Sequence, residues 1–269
     1  MTDNMHKYLL LIQKSIQKRI EYRSEILVWM MLDIIPMLLL LIIWSGIYAG
    51  RDTLRGYTLS QLVQYYTLGI MIEGITSSHF ESKWVAEIRL GKIDYFLTRP
   101  LPYLYQLFLD HLASKIFYLG LALPVYLLLW SIINALIKLP NLAIGPSALF
   151  FFSLTMVVAF LIQFFLALIT VLLGFWFEGA DGLQTFKDLF ISLLSGIVIP
   201  LSMMPPFLQS LTLNLPLKYL YTVPIGLVQH TYQPSCFDSL FMALSVATLW
   251  LTTFGLWQLA KRKYTSAGG

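Results

Sequence analysis

The sequence predicts an all-α integral membrane protein. The predicted elements are an N-terminal amphipathic elbow helix, six transmembrane helices and a re-entrant half-helix segment before the last transmembrane helix. Of the 269 residues, 58% are hydrophobic and 12% are charged, against about 25% charged in soluble domains. A helix needs about 20 apolar residues to cross the hydrocarbon of a bilayer, and apolar runs of similar length recur along the chain. Five prolines fall between residues 200 and 224. We therefore expect a single transmembrane domain over residues 1–269.

Residues 5–23 predict an amphipathic helix that lies on the membrane surface. Its apolar positions recur at spacings of three and four, and lysines and arginines occupy its polar side. An ordinary soluble helix has the same pattern, but the membrane span that follows almost at once favours an elbow helix at the cytoplasmic surface. The first long apolar run begins only near Ile26 and no small-residue cleavage site follows it, so no cleavable signal peptide is expected.

Six apolar runs predict transmembrane helices. They cover approximately residues 26–48, 59–79, 112–134, 147–176, 186–203 and 237–260. The second run is the weakest, because Gln61, Gln64 and Glu73 interrupt it. The third follows an amphipathic lead-in over residues 103–111.

Two acids fall within these spans, Asp33 and Glu73. An ionised aspartate at the bilayer centre costs about 2.5–3.5 kcal/mol, so each is interpreted either as part of a translocation pathway or interhelical bond, or as solvated near an interface. Asp33 lies only seven residues into the first span, which favours solvation. Glu73 stays open as a pathway residue.

The distribution of lysine and arginine predicts that both termini lie in the cytoplasm. With six spans, fourteen basic residues fall inside and four outside. The inner set is Lys7, Lys14, Lys18, Arg19, Arg23, Lys83, Arg89, Lys92, Arg99, Lys115, Lys187, Lys261, Arg262 and Lys263, and the outer set is Arg51, Arg55, Lys138 and Lys218. The net charge of +4 therefore comes from basic residues that flank apolar runs and fix the topology, and no nucleic-acid partner is expected.

Two segments between spans stand out. Residues 89–103, RLGKIDYFLTRPLPY, form a charged insert that the topology places in the cytoplasm, within a coupling segment predicted over residues 80–101. The alternative is a solvated loop whose charges only orient the spans. Before the last span, prolines break an apolar stretch, and non-helical backbone at membrane depth requires burial in protein or a cavity. This predicts an outer re-entrant pair of half-helices over 204–232, or else an amphipathic segment on the outer surface.

Motifs for catalysis and nucleotide binding are absent from the sequence. No G-x-x-x-x-G-K-[ST] loop occurs, since Ala86 stands where Gly91-Lys92 would need its first glycine. No H-E-x-x-H or G-x-S-x-G occurs either, and Asp110 and His111 are interpreted as a solvated interfacial pair. The single Cys236 excludes an intramolecular disulfide. No catalytic residue and no metal site are therefore predicted. The charged stretch FEGADGLQTFKD, residues 177–188, is interpreted as a solvated turn or a smaller second partner contact.

Three stretches resemble the membrane subunits of ABC-2 type transporters. They are E-I-R-L-G-K-I-D-Y-F-L-T-R-P-L at 87–101, S-G-I-V-I-P-L-S-M-M-P at 195–205 with L-P-L-K-Y and T-V-P downstream, and the ending K-R-K-Y-T-S-A-G-G. The likeness spans the chain and is specific to a subgroup of bacterial permeases that end in a basic-aromatic segment followed by S-A-G-G.

The resemblance implies partners rather than a cofactor bound by this chain. Such permeases pair with an identical or related permease subunit in the bacterial plasma (inner) membrane, and a separate P-loop ATPase holds ATP and Mg. A coupling helix docks on that ATPase. Carried onto this sequence, the coupling helix falls in residues 82–99, and the interface residues would be Trp84, Glu87, Arg89, Gly91, Lys92, Asp94 and Arg99.

The function expected from these features is ATP-driven export by a permease without its own ATPase site. The substrate path would lie between two permease halves, gated outside by Pro200, Pro205 and Pro206. The outer loops over 49–58 and 135–146 are short, which suits a drug-like, lipid-like or glycan-linked substrate. One alternative is an ATP-independent secondary transporter or channel, which predicts an internal repeat with broken helices in both halves, whereas the sequence has one broken region, near its C-terminal end. Another is a lipid-modifying enzyme, for which the best cluster would combine Asp110 and His111 with Glu81 and Glu178.

Overall fold

The fold is helical, as expected. The computed structural model describes residues 23–91, 103–142, 145–177 and 180–263, together with Gln17, Ile20 and Glu21. Over these residues the chain forms nine α-helices, two 3-10 helices and no β-strand. The α-helices are α1 Arg23–Ile47, α2 Leu59–Thr76, α3 Glu81–Arg89, α4 Tyr103–Ile137, α5 Pro146–Leu173, α6 Ala180–Leu194, α7 Pro206–Asn214, α8 Thr222–Val228 and α9 Cys236–Lys263.

Four of these helices are long and apolar enough to cross a membrane. The spans are Ile26–Ile47, Tyr103–Ile137, Pro146–Leu173 and Cys236–Lys263. The other two predicted spans correspond to α2, whose 18 residues extend about 27 Å, and α6, whose 15 residues extend about 22 Å. Glutamines and a glutamate dilute the apolar character of α2, and α6 is short against about 30 Å of hydrocarbon. The six-span topology therefore stays a prediction.

The core lies around α5 and α2. Helix α5 packs against α9, α8, α6, α3 and α2, and α2 also packs against α1 and α4. Ten of the 18 residues of α2 are buried, which makes it an interior element. In the most apolar stretch of α1 only 12% of the residues are buried, so most of its side chains face outward, as expected for a lipid-exposed span.

Two boundaries differ from the sequence prediction. The lead-in and the third span form one continuous helix, α4, with Pro124 inside it. The predicted fifth span over 186–203 is displaced, because α6 begins at Ala180 and ends at Leu194. Gly196 then adopts a φ of 91°, a left-handed conformation that glycine accepts without strain, and this change of direction ends the helix.

The proline-rich segment is broken into short helices. A 3-10 helix over Leu201–Met203 precedes α7, and a second over Pro216–Tyr219 precedes α8. Proline occupies the first turn of α7 and of the second 3-10 helix, where its missing N–H costs least. We call residues 195–232 the outer segment. Its division by prolines agrees with the sequence, whereas its re-entrant placement stays a prediction.

Candidate functional site

Helix α3 within the coupling segment has two distinct faces. Glu81, Trp84, Val85 and Ile88 are buried, at spacings of three and four that form one side of a helix. The opposite side is exposed and comprises Lys83, Ala86, Arg89 and Leu90 just beyond its end. Gly91 follows with a φ of 69°, which turns the chain away from the helix axis.

The buried face anchors α3 to three other helices. The Trp84 ring meets Tyr103 edge-on at 5.8 Å between centroids, and Tyr103 stacks on Trp257 at 5.2 Å. These rings join Ile88 and the end of α5 in one apolar cluster. The first turn of α4 and the last turns of α5 and α9 therefore meet at α3.

Gly174, just after α5, permits this close approach. A Cβ at Gly174 would lie 3.0 Å from the Val85 side chain and 2.9 Å from the backbone oxygen of Val171. Any side chain there would push α3 away from α5, so glycine is required by packing.

A buried ion pair joins α3 to α6. The Lys187 Nζ contacts the Glu81 carboxylate and donates to the backbone oxygen of Ser78 at 3.2 Å. Both side chains are buried, at 9% and 0% exposure. Ser82 Oγ adds a second link by donating to Gln184 Oε1 at 2.7 Å. The interpretation of residues 177–188 as a solvated turn is therefore wrong from Ala180 onward, because these residues form a helix that holds α3.

The α2–α3 connection is also held from α4. Ser78 Oγ is hydrogen bonded to His111 Nε2 at 2.8 Å, and the His111 ring stacks on Phe160 at 5.3 Å. Lys115 Nζ donates to the backbone oxygen of Gly74 at 3.0 Å. His111 is buried, so its interpretation as part of a solvated interfacial pair is wrong. Instead, His111 links α4 to the α2–α3 connection through Ser78 and to α5 through Phe160.

At its other end, α2 holds the outer segment. Tyr65 OH donates to the Gly196 carbonyl at 2.6 Å, and Tyr66 OH donates to the Val198 carbonyl at 2.8 Å. Thr222 Oγ1 donates to the Ser195 carbonyl at 2.9 Å. A Cβ at Gly196 would lie 2.2 Å from Thr222 Oγ1. The backbone after α6 is therefore clamped between α2 and α8.

A second cluster ties the outer segment to α9. The Asp238 carboxylate accepts hydrogen bonds from Tyr219 OH at 3.0 Å and Tyr232 OH at 2.6 Å, and Lys218 Nζ lies 3.5 Å away. Ser235 caps α9, because its backbone N–H donates to Asp238 Oδ2 at 2.9 Å and its Oγ accepts from the Asp238 N–H at 3.3 Å. Burial, together with the hydrogen bond to Asp238 and its charge, raises the pKa of Tyr219 and of Tyr232, so both remain donors at neutral pH.

The sequence analysis did not predict this cluster around Asp238. The signal was present, because Ser235 and Asp238 have the S-x-x-D spacing of a capping box before an apolar run. The other partners approach from positions 218, 219 and 232. Their convergence on one carboxylate depends on the fold.

The predicted site residues divide between both ends of the molecule. In α3, Trp84 faces the interior, Glu87 is half-buried and Arg89 is exposed. Pro200 is buried, whereas Pro205 and Pro206 are exposed. Glu73 is half-buried near the end of α2, and Asp33 lies within α1. Outside the described residues lie Lys92, Asp94, Arg99, Glu178 and nearly all of the predicted elbow helix.

In the part of the chain that the structure describes, no group of three or more His, Cys, Asp or Glu side chains is arranged to hold a metal ion. The arrangement is that of a multi-pass membrane protein in which one short helix, α3, has an exposed face and is braced by four other helices. A comparison with known families matches residues 34–268 to the ABC-2 family transporter proteins. The chain belongs to this family, which confirms the resemblance to ABC-2 permeases, while the subgroup stays a prediction. Members of the family are membrane components without their own ATPase site. A comparison with curated proteins found no match.

Proposed function

We propose that the chain is the membrane-spanning permease subunit of an ATP-driven ABC-2 exporter and that α3 is its coupling helix. The observation that carries the proposal is the two-faced character of α3. One face is fastened to α4, α5, α6 and α9, and the other exposes a cation, Arg89, beside an apolar side chain, Leu90, that is 67% exposed. An exposed apolar anchor flanked by charge is typical of a protein-binding surface. Leu90 thereby joins the interface residues predicted from the sequence.

In this proposal Trp84 acts inside the permease. It is buried against Tyr103, so a push on the exposed face of α3 moves the ends of α4, α5 and α9 rather than rotating α3 alone. Close-packed elements transmit such displacements because they have few voids to absorb them. The ion pair to Lys187 carries the same displacement to α6.

Helix α2 connects the two ends of the proposed machine. Its C-terminal end leads directly into α3, and its tyrosine pair, Tyr65 and Tyr66, holds the backbone at Gly196 and Val198. Movement of α3 would thus reach the outer gate around Pro200, Pro205 and Pro206 through a single helix. ATP binding supplies the difference in free energy between the two arrangements.

The remaining architecture of the exporter belongs to the same proposal. Helices α2 and α6 serve as the second and fifth spans, both termini are cytoplasmic in a bacterial inner membrane, and residues 204–232 re-enter from the outside. The apolar residues exposed on α1 and α6 suit lipid and a second permease subunit, identical or related. The exported substrate would be drug-like, lipid-like or glycan-linked.

The docking face of α3 is tested by replacing both Arg89 and Leu90 with alanine. We expect co-purification of the P-loop ATPase with the tagged permease to fall at least tenfold, because buried interface anchors contribute about 1–3 kcal/mol each. The matched control is Arg51→Ala with Leu142→Ala, an exposed cation and an exposed leucine of the outer loops. Unchanged ATPase binding would exclude this face, and transport that persists without any ATPase would support a secondary transporter or channel.

The α2 relay is tested by replacing Tyr65 and Tyr66 with phenylalanine. The double variant loses the hydrogen bonds to Gly196 and Val198 but keeps both rings. We expect ATPase binding within twofold of the parent and substrate export at least fivefold slower. The reason is that each lost hydrogen bond removes about 1 kcal/mol of stabilisation from the backbone of the proposed gate. Tyr48→Phe serves as the control, because it removes a bond of the same kind, from Tyr48 OH to the Tyr57 carbonyl at 2.8 Å, outside α2 and the outer segment. Export unchanged in the double variant would mean that the gate moves without α2.

A further inference from the structure

An aromatic groove lies between α4, α5 and the C-terminal half of α9. Its lining includes no residue of α3 or of the outer segment. Its volume is about 500 Å³, within the range of small-molecule sites. The aromatic lining consists of Tyr105, Phe108, Phe164, Phe165, Trp250, Phe254 and Trp257. Trp250 and Phe254 are 53% and 49% exposed, so the groove is open along this side of α9.

The charge at one end of the groove is positive. Lys261 is the charged residue of the lining, and none of the described lining residues is acidic. Its Nζ lies 5.8 Å from the centre of the Trp257 ring, at the edge of the apolar surface. Arg262 and Lys263, the next two residues of α9, are basic and exposed but lie outside the lining. An anionic group is therefore favoured at this end, with an apolar body in the groove.

The length of the groove matches one leaflet. From Trp250 to Lys261 the lining extends along α9 for about 16 Å, at 1.5 Å per residue. The hydrocarbon core is about 30 Å thick, so this length is about half of it. Lys261 lies at the end of a span, where a phospholipid headgroup meets the hydrocarbon.

We propose that this groove binds one anionic phospholipid of the cytoplasmic leaflet, with an acyl chain against the aromatic residues and the phosphate at Lys261. The lipid enters sideways along the open edge. It then covers the junction where α4, α5 and α9 meet α3, so its occupancy fixes the surface on which the coupling helix rests. The inference rests on the proposed cytoplasmic position of the basic end of α9, and it does not depend on ATP coupling.

Native mass spectrometry of the purified full chain tests the site with phosphatidylglycerol and phosphatidylcholine of identical acyl chains. We expect one phosphatidylglycerol retained per chain, with phosphatidylcholine retained at least tenfold less. Lys261→Glu should weaken phosphatidylglycerol binding about tenfold, since attraction is replaced by repulsion. Arg262→Glu makes the same charge change one residue outside the lining and should change binding less than twofold.

A second pair of variants tests the apolar part of the groove. Phe254→Ala removes an exposed lining ring and should weaken binding about threefold to tenfold, whereas Leu251→Ala removes an exposed leucine of the same helix outside the lining and should not. Equal losses in Lys261→Glu and Arg262→Glu, equal retention of both lipids, or retention of a different amphiphile in place of phospholipid would overturn the proposal.

The orientation of α9 is tested separately by its native cysteine. Cys236 is exposed at the opposite end of α9 from Lys261 and is the single cysteine of the chain. A membrane-impermeant maleimide should label it in right-side-out vesicles and not in inside-out vesicles. The reverse labelling would place the lipid in the other leaflet and refute the inference, while the ATPase co-purification assay would still report on the proposed function independently.

Discussion

Replacing Lys187 with methionine is expected to lower the free energy of unfolding by about 3–5 kcal/mol. The substitution leaves the fully buried carboxylate of Glu81 without its cationic partner, and one of its oxygens, Oε2, already has no hydrogen-bond partner. An uncompensated buried charge costs far more than a lost surface contact. The measurement is reversible unfolding in mixed micelles, followed by circular dichroism and intrinsic fluorescence.

Two comparisons separate the ion pair from a general effect of substitution. Asp188→Asn removes a carboxylate 3.2 Å from Lys187 whose side chain is 38% exposed, and it should cost less than about 1 kcal/mol. Adding Glu81→Gln to Lys187→Met should recover more than half of the loss, since no buried charge is then left. A cost below 1 kcal/mol for Lys187→Met alone would show that α3 and α6 are held by other contacts, and the displacement proposed for α6 would lose its route.

The spans with continuous apolar runs could be predicted from the sequence. The runs near 26–48, 147–176 and 237–260 correspond to α1, α5 and α9 within a few residues, because a bilayer imposes length and polarity on each helix independently of its neighbours. The break-up of the outer segment was equally local, since each proline acts on its own turn. The family resemblance rested on the order of short motifs and was confirmed.

Contacts that depend on distant residues could not be predicted. Lys187 and Glu81 are 106 positions apart, so the local sequence of residues 177–188 indicates a solvated turn, whereas residues from Ala180 onward form α6. The burial of His111 and the inward direction of Trp84 have the same origin, because each depends on helices that pack from elsewhere in the chain. A pattern of residue types gives the period of a helix, whereas the side that faces the core is decided by its neighbours.

Burial within the protein explains how α2 accommodates its polar side chains. Its residues are largely buried by protein, so Gln64 can donate to the Pro140 carbonyl at 2.8 Å and Thr67 to its own helix at 2.8 Å without facing hydrocarbon. Such polar side chains therefore bond to other parts of the protein, as Gln64 does by also accepting from Gln229 Nε2 at 3.1 Å. They also make α2 a helix with defined neighbours at both ends, as a relay between α3 and the outer segment requires.

Replacing Asp238 with alanine is expected to be the most damaging change near residues 195–232, with a loss of about 3–5 kcal/mol in the free energy of unfolding. It leaves the buried Lys218 ammonium without its partner and deprives the hydroxyls of Tyr219 and Tyr232 of their acceptor. It also removes one half of the Ser235 capping box, the bond from the Ser235 N–H to Asp238 Oδ2, while the bond from the backbone N–H of residue 238 to Ser235 Oγ remains. The loss should concentrate in the outer segment, where hydrogen exchange of residues 216–232 should increase while that of α3 does not.

Function should divide along the same line. Asp238→Ala is expected to abolish most export while ATPase co-purification stays within twofold of the parent, because Asp238 and α3 lie at opposite ends of α9 and the Trp84 cluster is untouched. Asp52→Ala, at an exposed acid of an outer loop, is the matched control and should change neither property. If Asp238→Ala releases the ATPase as well, the two ends fold as one unit, and the gate could not move while the docking face stays intact. Export that continues at the parental rate would show instead that the outer segment is not the gate, and the substrate path would then have to be sought away from Pro200 and its neighbours.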